Sequence, residues 1–152
     1  MSDPIVFDST TPRIGLPLLF AGQAQKETFV NEALARLDGL TGLAVEAEQN
    51  APPAAPADGQ AWIVGSAPTG SWAGFAGRIA LRQAGQWLFI APWNGLHFLD
   101  LASGQNVRRH GGAWVRATAP DEATGGSTVD SQARSAISAL ITALRQAGIF
   151  AT

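Results

Sequence analysis

The sequence predicts an α+β protein: an N-terminal arm and helix, a small antiparallel Gly/Trp-rich β sheet, and a C-terminal amphipathic helix. Three observations carry that expectation. Apolar residues recur at helical spacing near both ends of the chain, glycines punctuate the stretch between them, and all five tryptophans fall within that stretch.

The arm, residues 1–21, is extended because its Thr-Thr-Pro and Leu-Pro steps, ending at Pro12 and Pro17, disfavour helix. A helix follows from Gly22 to Asp38, with Val30, Ala33, Leu34 and Leu37 on its apolar side and Gly39 as its stop. Residues 43–48 alternate like one half-buried strand, and the prolines at 52, 53 and 56 stiffen a surface connection. Six strands are expected next, at 60–64, 78–83, 86–90, 96–101, 106–110 and 113–117, separated by glycine turns. A weak internal echo places Trp72, Trp87 and Trp114 two residues after a glycine. The helix and sheet make one α+β domain, 22–117. A linker at 118–127 then leads to the C-terminal helix, 128–149. In that helix Ala133, Ile137, Leu140, Leu144 and Ala147 form a short heptad seam widened by Ile141. Ile137, Leu140, Ile141 and Leu144 are the candidates for an oligomer or fibre seam; packing on the chain's own domain is the alternative.

Composition narrows the chemistry. Without cysteine there is no disulfide framework, thiol nucleophile or cysteine-bound metal. No apolar run reaches the roughly 18 residues a membrane span needs, so no membrane is expected as a partner. The acidic start of the chain does not resemble a secretory signal. A net charge of −2 conceals segregation: residues 1–58 sum to −5, residues 59–117 to +4, and the remainder to −1. Lysine is nearly absent and the chain is acidic overall, which argues against nucleic acid.

Enzyme chemistry is thinly supplied. The Trp-rich stretch holds Asp100 as its one carboxylate, no Gly-x-Ser-x-Gly elbow is present, and the two histidines have no metal-site spacing. No cofactor and no metal are expected, and the protein is read as non-enzymatic. A pocket around His97 and Asp100 is the remaining alternative. Trp62, Trp87 and Trp114 are expected in the core. Trp72 and Trp93 fall in loops and are the candidates for exposed platforms on which sugar rings stack, with Arg78, Arg108 and Arg109 as accompanying glycan contacts. The alternatives are that the loop indoles fold back or serve a protein interface, and that the arginines pair with the acidic first segment.

Thr11-Pro12-Arg13-Ile14-Gly15-Leu16-Pro17, Ala21-Gly22-Gln23-Ala24-Gln25-Lys26 and Asn31-Glu32-Ala33-Leu34-Ala35-Arg36-Leu37-Asp38 together resemble an uncharacterised domain family of proteobacterial prophages and gene transfer agents. The blocks Gly59 to Gly65, Gly70 to Gly74 and Ala91 to Gly95 continue the resemblance, which covers residues 10–117. It implies a virion structural protein assembled in the bacterial cytoplasm and carried on the surface of a phage-like particle. More narrowly, it implies a head-spike base that links capsid protein to a spike fibre protein and supports attachment to capsular polysaccharide. A homo-oligomer goes with that role, a pentamer being favoured and a trimer the alternative. Longer members carry the domain ahead of a fibre, whereas this chain has one helix there. The competing function is a glycan-binding module that contacts the host capsule directly. The resemblance supplies no catalytic residues.

Overall fold

A computed structural model describes residues 9–22, 26–42 and 44–151. It has two helices and two four-stranded, mostly antiparallel sheets, the α+β fold expected from the sequence. The chain divides into two compact units, one holding residues 48–91 with everything before 44, the other holding 44–47 and 92–151. Among the described residues no helix is long and apolar enough to cross a membrane.

The first unit contains helix α1 (Lys26–Thr41) and strands β2 (Glu48–Gln49), β3 (Ala61–Val64), β4 (Ile79–Gln83) and β5 (Gln86–Ile90), in sheet order β2-β3-β4-β5. The second contains β1 (Ala44–Val45), β6 (His97–Asp100), β7 (Gln105–His110), β8 (Ala113–Arg116) and helix α2 (Ser131–Gln146), in sheet order β1-β6-β7-β8. All six strands expected between 60 and 117 are present, but they form two sheets rather than one. The single strand expected at 43–48 is also corrected. Ala44–Val45 pairs in parallel with β6 and Glu48–Gln49 pairs in parallel with β3, so this short stretch supplies one edge to each sheet. Leu43 lies outside the described residues.

The two sheets share one topology. Each is a three-stranded antiparallel meander with a two-residue parallel strand added on the side of its first strand. In each, the last hairpin turns through two consecutive residues of positive φ, Ala84 and Gly85 in one sheet and Gly111 and Gly112 in the other. This is the geometry of a tight hairpin whose twist matches its strands. In each, an arginine faces a tryptophan across that hairpin. Arg82 lies opposite Trp87 with its guanidinium 5.2 Å from the ring, and Arg109 lies opposite Trp114 at 5.6 Å. The glycine–tryptophan echo at 85–87 and 112–114 is the sequence trace of this repeated hairpin.

Strand β3 is buried on both sides. Ala61, Ile63, Ile79 and Leu81 share one face by register, and Gly39 of α1 comes down on Leu81 there. Trp62 lies on the other face with Trp87, and Trp72 closes a three-indole cluster with centroids 5.1–6.2 Å apart. Phe75 stacks on Phe89 at 3.7 Å. In the second unit, Val45, Leu96, Phe98, Val107 and Ile141 form the buried apolar set, and Trp114 packs against Phe98.

Helix α1 reverses its expected orientation. Ala35, Asp38 and Gly39 are its buried residues, while Val30, Ala33 and Leu37 are exposed and Phe29 is 78% exposed. The polar side chains explain the reversal. Asn31 accepts from the Leu19 N–H at 2.8 Å and donates to the Leu19 carbonyl at 3.0 Å, and Asp38 binds the segment at 11–14. Gly39 does not end the helix, which continues to Thr41, because its missing side chain admits Leu81. Residues 23–25 of the expected helix, and 1–8 of the arm, lie outside the described residues.

Helix α2 falls where the sequence places a helix but spans Ser131–Gln146 rather than 128–149. The Asp130 side chain caps its start by accepting from the Ala133 N–H at 2.9 Å. At its end Gly148 has φ +69°, and the N–H groups of Gly148 and Ile149 bond the carbonyls of Arg145 and Leu144 at 2.9 and 2.8 Å. This paired closure satisfies carbonyls that the helix leaves open. The chain then docks on β7, where Asn106 N–H bonds the Gly148 carbonyl at 2.6 Å and the Gln105 amide bonds the Ile149 carbonyl at 2.9 Å.

Candidate functional site

The tryptophan candidates separate cleanly. Trp72 is fully buried at the centre of its cluster, so the expectation that its loop exposes an indole to sugars is corrected. A short 3-10 turn at Gly70–Trp72 folds the ring back onto Trp62 and Trp87, where it removes the largest apolar area from water. Trp93, in the turn that leads into β6, is 54% exposed. Trp62 is buried as expected, and Trp87 and Trp114 are half-buried.

The arginines of the Trp-rich stretch have distinct partners. Arg78 lies over Phe75 at 5.5 Å, Arg82 over Trp87 and Arg109 over Trp114. Arg116 pairs with Asp100 at 2.7 Å. The Arg108 side chain makes no ion pair or hydrogen bond among the described residues. Arg108 and Arg109, adjacent on β7, point to opposite faces of their sheet, and Trp72 and Arg78 belong to the other unit. Within the second unit, Arg108 and Arg109 therefore do not share a face.

His97 and Asp100 are also divided. Three residues apart on β6, they face opposite sides of the sheet, His97 exposed and Asp100 buried. Asp100 accepts from the N–H groups of Ala102 and Ser103 besides Arg116, so its oxygens are engaged in holding the β6–β7 turn and β8. Among the described residues no cluster of three or more His, Asp or Glu side chains could hold a metal ion.

What the open face of the second sheet does gather is a concave patch. His97, Arg108 and Val115 stand on one rung across β6, β7 and β8, and Asn106 faces Leu99 two residues along. His97, Asn106, Arg108 and Val115, with Arg116, Ala117 and Ile149, line a cavity of about 350 Å³. The sequence could not have shown this pocket, because Ile149 reaches it only through the docking of the chain after α2. In the first unit a second groove of about 500 Å³ runs between α1 and the β4–β5 hairpin, with Asn31, Ala35, Gln83 and Leu88 among its walls.

The seam candidates split by exposure. Ile141 is 7% exposed and anchors α2 to its own unit, and Leu144 is half-buried. Ile137 and Leu140 face outward, Leu140 with 59% of its surface exposed. Ala133 and Ala147 are exposed as well, so most of the heptad seam is uncovered among the described residues of its unit.

These features define a class: a small α+β protein of two like meanders, each braced by an Arg–Trp rung, with apolar helix surface turned outward. Residues 30–115 match the family described as Protein of unknown function (DUF2793), and the chain belongs to that family. The match runs from within α1 to β8 and takes in both sheets. No curated protein matches the chain.

Proposed function

We propose that this chain is a non-enzymatic structural subunit of a phage-like particle. In that reading it is a head-spike base on the particle surface that joins capsid protein to a fibre and supports attachment to recipient-cell polysaccharide. The observation that carries the assembly part is the outward apolar surface of both helices. Phe29, Val30 and Leu37 on α1, and Ile137 and Leu140 on α2, are all exposed. Apolar side chains exposed along one face of a helix support a surface that another protein covers. The particle and spike parts rest on the resemblance of residues 10–117 to phage-type domains. A homo-oligomer, pentameric or trimeric, is the assembly that reading calls for.

Native mass spectrometry of the purified protein, with proteomics of isolated particles, tests it. An oligomer present in particles is the expected result. A strictly monomeric protein that is absent from particles refutes it.

The second reading, direct glycan contact, is favoured by one observation, the exposed indole of Trp93 in the unit that also carries Arg108. Glycan binding that Trp93→Ala leaves intact would remove that platform.

A further inference from the structure

We propose that the pocket on the open face of β6, β7 and β8 binds the carboxylate of an acidic sugar residue. The inference rests on the glycan-contact reading and gives it a site and a ligand class.

The register builds the pocket. His97 and Arg108 are direct cross-strand neighbours, and Asn106 stands one side-chain step away on the same face of β7. An opposite charge across the rung stabilises a cationic side chain, and the position across from Arg108 is held by an imidazole instead. Among the described residues the lining contains no Asp or Glu to supply that charge, and Asp100 is on the other face, held by Arg116. Arg108 is left with its guanidinium uncommitted among the described residues.

The chemistry of the walls selects the ligand. A guanidinium offers a planar fork that matches the two oxygens of a carboxylate. The Asn106 amide and the His97 imidazole can each donate to or accept from a hydroxyl. Val115, Ala117 and Ile149 add apolar surface beside them, suited to the C–H face of a ring. A cavity of about 350 Å³ falls at the small end of the range for ligand sites, which suits one or two sugar rings.

Isothermal titration of the whole chain with hexagalacturonate, and with its carboxyl-reduced neutral counterpart, tests the proposal. The acidic oligosaccharide is expected to bind and the neutral one not. Arg108→Gln is expected to weaken binding roughly tenfold or more, as loss of a charge-assisted hydrogen-bonded contact does. Arg145→Gln, which removes the same charge from an exposed residue of α2 outside the lining, is expected to leave binding within about twofold of the parent. Thermal melts confirm that each variant is folded. Equal losses from both arginine variants would mean general charge attraction and overturn the site. Binding of the neutral oligosaccharide that Trp93→Ala abolishes and Arg108→Gln spares overturns the site while leaving the glycan-contact reading intact. No binding of either oligosaccharide overturns both.

Discussion

Thr11 and Asp38, 27 residues apart and both buried, are joined by a 2.8 Å hydrogen bond from the Thr11 hydroxyl to the Asp38 carboxylate. The same carboxylate accepts from the backbone N–H groups of Arg13 and Ile14 at 3.0 and 2.7 Å. The Thr11 hydroxyl in turn accepts from Leu16 N–H at 2.9 Å, closing the turn through Gly15. Arg13 extends the clasp by donating to the Gly59 and Gly39 carbonyls. The Thr-Pro-Arg-Ile-Gly-Leu-Pro block is thus a fastening between the arm and the last turns of α1. Asp38→Ala strands three donors, so it is expected to lower the stability of the first unit by about 3 kcal/mol in denaturant titration. Thr11→Val, which leaves the carboxylate its two backbone partners, is expected to cost about 1 kcal/mol.

The Trp72 indole N–H is buried without an acceptor among the described residues. Its place in the cluster is therefore a matter of apolar packing. Trp72→Ala is expected to destabilise by about 3–5 kcal/mol through the cavity it opens. Trp72→Phe, which also removes an unsatisfied donor, is expected to cost about 1–2 kcal/mol. Trp93→Ala is expected to shift stability by less than about 0.5 kcal/mol. Thermal or urea unfolding followed by tryptophan fluorescence separates the three.

On α2, neighbouring residues are expected to report on different things. Ile141→Ala removes a buried anchor and is expected to cost about 2–4 kcal/mol of folding stability. Leu140→Asp alters an exposed position, so folding stability is expected to change by less than about 0.5 kcal/mol. Its effect is expected in assembly, where sedimentation velocity would show smaller species than the parent. Unchanged sedimentation would remove Leu140 from the interface.

Ala84 is the one non-glycine residue with positive φ among the described residues, at +48°, where the sister hairpin has Gly111. A left-handed conformation costs an L-residue roughly 1–2 kcal/mol, and asparagine tolerates it best after glycine. Ala84→Asn is expected to stabilise the first unit by about 0.5 kcal/mol or more in the same unfolding assay.

Much of the fold was legible because local signals and burial agree in the meanders. Each expected strand between 60 and 117 is bounded by residues whose turn geometry is local. The cap at Asp130 and the closure at Gly148 are equally local. What was not legible depended on partners distant in sequence. Val30, Ala33 and Leu37 look like an inward stripe, and only the hydrogen bonds of Asn31 and Asp38 to the arm turn the other side of α1 inward. Trp72 sits among loop residues by composition, yet its burial follows from Trp62 and Trp87. Of the candidate site, Arg108 was named from its charge, but its rung with His97 is a matter of register. Ile149, which completes the pocket, was readable as a helix-closing residue and not as a wall.

The stretch that gives each sheet its parallel edge also sets an order of assembly. Gln49 finds Val64 across 15 residues of chain, whereas Val45 must find Asp100 across 55. Loop closure makes the longer pairing costlier by about 1 kcal/mol. Strand β2 is therefore expected to join β3 before β1 joins β6, an order that pulsed hydrogen exchange during refolding reads directly. The meanders can form from local hairpins, but the second sheet gains its fourth strand only after nearly the whole chain up to β6 has been made.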